Sequence, residues 1–204
     1  VRRLDNSRKA EIVAACGSSG SGKTSWLKQK IKTRKRVLVW DAKAEYDVKD
    51  KFITVYSQSD LLEILQANKS GALRVSYQPR MVNVKAFDWW ARAAYAWGNC
   101  AAVAEETADV TTPSKAPDGW GQLIRKGRGY AISVFAVTQR PAESDKTVIG
   151  NATLIHCGRL SRSQDRVYMA KEINSNPDDL LMDDLEYIDY IPAKNTSKKG
   201  KVRF

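Results

Sequence analysis

Histidine is nearly absent from this chain of 204 residues, with His156 standing alone inside the apolar run TLIHC. A Ser–His–Asp triad or a histidine-rich metal centre is therefore hard to build, and His156 reads as a packed strand residue. Cysteine is scarce too. Cys16, Cys100 and Cys157 make an odd count with no CxxC pair, which argues against a disulfide framework and against a zinc site. No apolar run approaches the roughly 18 residues of a membrane span. The first ten residues, VRRLDNSRKA, lack the apolar stretch of a secretory signal. A soluble protein of the cytosol is the expectation. Acidic residues are in deficit: 23 Asp and Glu face 34 Lys and Arg, a net charge of +11. A domain so basic attracts polyanions such as DNA, RNA or anionic lipid.

Hydrophobic residues supply 43% of the chain and charged residues 28%, which excludes a wholly disordered polymer. The length suits one domain, expected over residues 1–193, followed by a mobile basic tail over 194–204 (KNTSKKGKVRF). Residues 28–36 (KQKIKTRKR) form a second basic run, and 178–189 an acidic one.

Short apolar runs alternate with helical patterns. Strands are expected at 11–16, 37–40, 52–56, 73–77, 100–104, 131–138, 153–157 and 187–191. Helices are expected at 23–35, at 59–67 with Ser59 as the cap, at 84–97 and at 163–173. Strands separated by helices predict an α/β fold, a mainly parallel sheet covered on both faces. Residues 107–120 have turn and loop composition. The aromatic stripe of Phe87, Trp89, Trp90, Tyr95 and Trp97 reads as core or subunit contact.

The sharpest chemical signal is Gly17-Ser18-Ser19-Gly20-Ser21-Gly22-Lys23-Thr24, with Ser25 following. It matches GxxxxGK[ST] between a strand and a helix, the context that makes a phosphate-binding loop credible. Glycines let backbone N–H groups turn toward phosphate oxygens, and the helix N-terminus adds positive potential. Lys23 suits the β and γ phosphates of ATP, and the Thr24 hydroxyl suits Mg²⁺. The strand at 100–104 ends in Glu105-Glu106. We assign Glu105 to magnesium and Glu106 to activation of the attacking water. Gln139 follows the strand AISVFAVT, at the end of a parallel sheet where ligands bind, and suits γ-phosphate sensing. Asp41 and Glu45 are candidates for either the nucleotide site or a structural role.

Taken in order, GSSGSGKT, VLVWDAKAEYD, AAVAEE and IRKGRGYAISVFAVTQRP resemble the FtsK–HerA superfamily of DNA-pumping ATPases over about residues 10–170. The chain's brevity is most similar to the genome-packaging ATPases of tailless, internal-membrane dsDNA viruses. The resemblance implies an additional-strand P-loop fold and a homo-oligomeric ring, usually of six subunits. It also implies ATP-driven movement of double-stranded DNA through non-specific backbone contacts. Docking on capsid or membrane-vertex proteins, and a location in the host cytoplasm or at the virion's packaging vertex, follow from the same likeness. It further suggests an arginine finger in trans, Arg128 first, with Arg125, Arg159, Arg162 and Arg166 as alternatives. Other pumps of that superfamily share these motifs. A nucleotide-gated assembly protein with incidental hydrolysis is the alternative from a different class.

Overall fold

The computed structural model describes residues 10–203. The first nine residues of the expected domain, which include most of VRRLDNSRKA, and Phe204 of the expected tail lie outside the described residues.

The chain alternates strand and helix: β1 (Ile12–Cys16), α1 (Lys23–Lys30), β2 (Arg36–Trp40), β3 (Ile53–Val55), α2 (Gln58–Ala67), β4 (Leu73–Tyr77), α3 (Val84–Trp97) and β5 (Ala101–Ala104). Then come α4 (Asp118–Lys126), β6 (Ser133–Thr138), α5 (Lys146–Asn151), β7 (Leu154–Gly158), α6 (Ser163–Glu172), β8 (Glu186–Ile191) and β9 (Thr196–Lys201). All nine strands join one sheet in the order β3-β4-β2-β5-β6-β1-β7-β8-β9. Pairings from β3 to β7 are parallel, and β8 and β9 add antiparallel. Strand β6 lies between β1 and β5, pairing Cys16 with Thr138 on one side and Ala104 with Ala136 on the other. The loops after β1, β5 and β6 therefore meet at one edge of the sheet.

The central strands are buried on both faces, as parallel sheets covered by helices must be. Alternation splits β1 between two cores. Ile12, Ala14 and Cys16 join the larger core, whereas Val13 and Ala15 pack with Trp26, Leu27 and Ile31 on the α1 side. The aromatic stripe divides: Phe87 and Trp90 are fully buried and stack on each other at 5.6 Å, with Trp40 and Trp120 against them, while Trp89, Tyr95 and Trp97 are half-buried and pack on that core. His156 is a packed strand histidine, stacked on Trp26 at 3.8 Å, with Nδ1 2.7 Å from Asp189 Oδ1.

Several local expectations are corrected. Within the expected tail, residues 194–203 are not a free end, since 196–201 form β9. Its register sets Lys201 opposite Glu186 and Lys198 opposite Asp189, while Val202 is buried in the α1-side core. The β8–β9 ladder and one apolar anchor hold the segment. Helix α1 stops at Lys30 rather than residue 35; the chain turns there, with Arg34 N–H donating to Ile31 C=O, to begin β2. Ser57, not Ser59, caps α2, its hydroxyl accepting from Asp60 N–H. The loop expected at 107–120 runs to 117, opening with a 3-10 turn at 107–109 that buries Thr107, and α4 takes over at Asp118 with Trp120 fully buried. Helix α5, six residues without a clear apolar period, escapes sequence reading.

Candidate nucleotide site

The loop between β1 and α1 is held from both sides. Gly17 N–H donates to Thr138 C=O at the end of β6, and Ser18 N–H donates to Arg159 C=O after β7. A side chain at Gly17 would not fit, because its Cβ would lie 2.5 Å from Ser21 Oγ. Gly22 precedes α1 with φ of 85°, a left-handed conformation that favours glycine, and a Cβ there would press on Leu185 and Val202. No side chain caps α1, so the amides of its first turn are free to receive an anion. Lys23 Nζ donates to Ser18 C=O at 3.0 Å, which holds the ammonium across the loop. Burial lowers the Lys23 pKa, against the opposing pull of Glu106 and Glu105.

A cleft of about 290 Å³ opens over this loop, lined by Ser19, Gly20, Gly22, Lys23, Thr24 and Ser25. Lys43, Glu45, Glu106, Gln139 and Leu185 close it from neighbouring loops. Thus Glu106 and Gln139, placed by β5 and β6, meet the phosphate loop as their order in sequence predicts. One Glu106 carboxylate oxygen, Oε1, accepts from Gln139 Nε2 and from Lys43 Nζ, each at 2.6 Å. Partial burial works against the Lys43 ammonium, yet its bond and attraction to Glu106 prevail and raise its pKa. Glu106 itself sits at φ of 49°. A bulky residue seldom adopts that conformation, and here it aims the side chain off the strand tip.

Glu105 occupies a different place. Its carboxyl is buried behind the cleft and accepts from the Tyr46 hydroxyl at 2.6 Å. Burial pushes its pKa up to about 8, opposed by the Tyr46 bond and by Lys23, and reinforced by the charges of Glu45 and Glu106. Glu45 stands closer to the expected metal position: its Oε2 accepts from Thr24 Oγ1 at 2.7 Å. Asp41 is structural. Its carboxylate accepts from the N–H groups of Glu45 and Tyr46 and from Ser76 Oγ, shaping the turn that delivers Lys43 and Glu45.

The residues fit the groups they were expected to hold. Ser21 Oγ is buried without a hydrogen-bond partner, and the first-turn amides have no side-chain cap, as a phosphate cradle requires. Among the described residues, no group of three or more His, Cys, Asp or Glu side chains is placed to hold a metal. Thr24 and Glu45 offer hard oxygen donors beside the loop, the kind of ligand a magnesium ion prefers.

The arginines divide. Arg128 is exposed in the 3-10 turn at 127–129 ahead of β6. That end of the parallel strands is opposite the cradle, so Arg128 does not line its own chain's cleft. Arg159 is near its own loop, bonding Asp184 Oδ1 at 2.8 Å and Ser19 C=O at 3.4 Å. Arg162 pairs with Glu143, Arg166 donates to Ser161 C=O, and Arg125 is exposed on α4. Sequence reasoning missed Lys43 and Leu185. Lys43 carried a signal, since it lies two residues beyond the Asp41 strand tip; Leu185 carried none.

A phosphate loop after β1, acids after the neighbouring strand but one and Gln139 directly after the intervening strand define the class. It is a P-loop NTPase fold, a mainly parallel sheet with an additional strand between the phosphate-loop strand and the acid-bearing strand. No protein-family model matches the chain. The chain belongs to the family of Protein P9 of Pseudoalteromonas phage PM2, to which it is 30% identical over 182 residues, 87% of this chain and 79% of that one. Among solved structures it is similar to the genome packaging NTPase B204 of Sulfolobus turreted icosahedral virus 2 in complex with AMPPCP. The likeness covers 97% of this chain and all of that one, at 16% identity and a TM-score of 0.77. It also resembles the bacterial conjugative coupling protein TrwBΔN70, over 96% of this chain and 85% of that one, at 8% identity and a TM-score of 0.63.

Proposed function

We propose that this chain is an ATP-hydrolysing motor that moves double-stranded DNA into a viral particle. The observation that carries the reading is the convergence of Glu106 and Gln139 on the cleft formed by Lys23 and Thr24. Similarity to a genome packaging NTPase supports the choice of cargo over other pumps with this fold.

In this reading the first-turn amides of α1 and the Lys23 ammonium hold the triphosphate. Magnesium, when bound, would supply positive charge to the phosphate oxygens; Thr24 would hold it, with Glu45, and with Glu105 once its proton is lost. Glu106 takes a proton from water as the water oxygen bonds to the terminal phosphorus and the bond to the leaving diphosphate oxygen breaks. Gln139 couples that carboxylate to the terminal phosphate. Lys43 and Gln139 both hold Glu106 Oε1, which leaves Oε2 to receive the proton. Arg128 completes a neighbouring subunit's site in a ring, a role open to it because it lies away from its own cleft. The ring, of six subunits in this reading, docks at a capsid or membrane vertex. Among the described residues, no helix is long and apolar enough to cross a membrane.

The test is steady-state phosphate release with and without duplex DNA. Turnover that rises with DNA supports a motor. Turnover near background, with nucleotide-dependent assembly intact, would instead favour an assembly protein.

A further inference from the structure

The sequence holds two basic runs, 28–36 and 194–204, and the structure separates them by charge balance. The lysines of strand β9 lie beside acids. Lys201 faces Glu186 and Lys198 faces Asp189 across the β8–β9 ladder, and Lys199 reaches Asp179 at 3.9 Å. The other run opens into a cleft of about 620 Å³ between the end of α1, the turn into β2 and the 3-10 turn at 48–50. Asp50 is the one acidic side chain among its lining residues, and Lys28 already pairs with it at 2.6 Å. Arg34 pairs with Glu11, and Arg74 is spent on the carbonyls of Ile31 and Arg34 while lying over the Phe52 ring. Lys32, Lys35, Lys49 and Lys51 remain, all exposed on the rim, with no acidic partner among the described residues. A concave surface with four uncompensated ammonium groups attracts a polyanion more strongly than a strand whose cations face acids.

We propose that this cleft, and not β9, is the surface that tracks the phosphate backbone of double-stranded DNA. The inference rests on the motor reading and adds the place of contact. The same helix serves both sites. The N-terminus of α1 closes the nucleotide cradle and its C-terminal end, about 12 Å away for eight residues, carries the cleft wall. The Lys28–Asp50 pair joins that wall to the turn bearing Lys49 and Lys51. A shift of α1 on loss of the terminal phosphate therefore moves the DNA-facing lysines directly.

The test compares the full chain with two variants: Lys32, Lys35, Lys49 and Lys51 all changed to Gln, and Lys198, Lys199 and Lys201 all changed to Gln. Binding of a random-sequence duplex is measured across salt, beside basal ATP hydrolysis and binding to vesicles containing phosphatidylserine. The cleft variant is expected to bind duplex at least tenfold more weakly and to lose about one unit of salt slope for each phosphate contact removed. Its basal hydrolysis stays at the wild-type level. The β9 variant is expected to lose less than threefold. Duplex binding retained in the cleft variant, or lost only in the β9 variant, overturns the assignment and leaves the motor reading standing. Loss of vesicle binding with duplex binding unchanged makes the cleft a membrane surface and also overturns it. A wild-type chain that hydrolyses ATP yet ignores duplex DNA removes both readings.

Discussion

Gln139 and Glu106, on the tips of adjacent strands and 33 residues apart in sequence, are joined by a hydrogen bond of 2.6 Å from Nε2 to Oε1. The bond exists because β6 is inserted beside β5, with Ala104 in register with Ala136. It ties the group proposed to feel the terminal phosphate to the group proposed to activate water.

Breaking that tie should slow chemistry more than binding. Gln139→Ala is expected to lower kcat at least tenfold while nucleotide affinity changes less than about threefold. Affinity by fluorescent-nucleotide titration and turnover by phosphate release separate the two. An equal loss in both would make Gln139 a binding residue only.

Glu105 gives the protein a pH-dependent stability of definite sign. The folded state holds its proton to about 8, whereas an ordinary glutamate releases it near 4.5. Between those values the unfolded chain binds fewer protons, so this group's contribution to stability falls as pH rises through the window. Denaturant midpoints at pH 5 and pH 8 should show that fall in the wild type and a flatter dependence in Glu105→Gln. Identical slopes in the two proteins would contradict the assignment.

If Arg128 acts across a subunit boundary, Arg128→Ala subunits should carry intact cradles but depend on their neighbours. Mixing them with Lys23→Ala subunits, which lose their own cradle but keep Arg128, is expected to recover part of the turnover that each lacks alone. No recovery at any ratio, in mixtures shown by mass measurement to co-assemble, would argue against action in trans.

The meeting of the phosphate loop, Glu106 and Gln139 was legible because each is written within a few residues of a strand end, whereas Glu105 turns behind the cleft to Tyr46. What escaped depends on distant partners. Lys43 matters through Glu106, 63 residues away, and nothing in WDAKAEYD announces that partner. Strand β9 looked like a solvated tail because its lysines are balanced by acids on β8 and its one anchor, Val202, packs against the α1 side of the sheet. The helical reading of 84–97 succeeded because its apolar period is strong. Asn83 caps it, its side chain accepting from Ala86 N–H.

That aromatic core should be costly to hollow. Trp90 is fully buried against Phe87, Trp40 and Trp120, so Trp90→Ala is expected to lose about 3–5 kcal/mol in urea unfolding. A loss below about 1 kcal/mol would show that the site refills.

The central claim is that Glu106 serves as the base over the phosphate loop, and Glu106→Gln tests it most directly. The substitution keeps the size of the side chain and removes its ability to accept a proton. Nucleotide affinity and phosphate release should be measured on the same preparation. The account predicts affinity within a few-fold of wild type and turnover reduced at least a hundredfold, the scale of a lost general base. Turnover at the wild-type rate would contradict it.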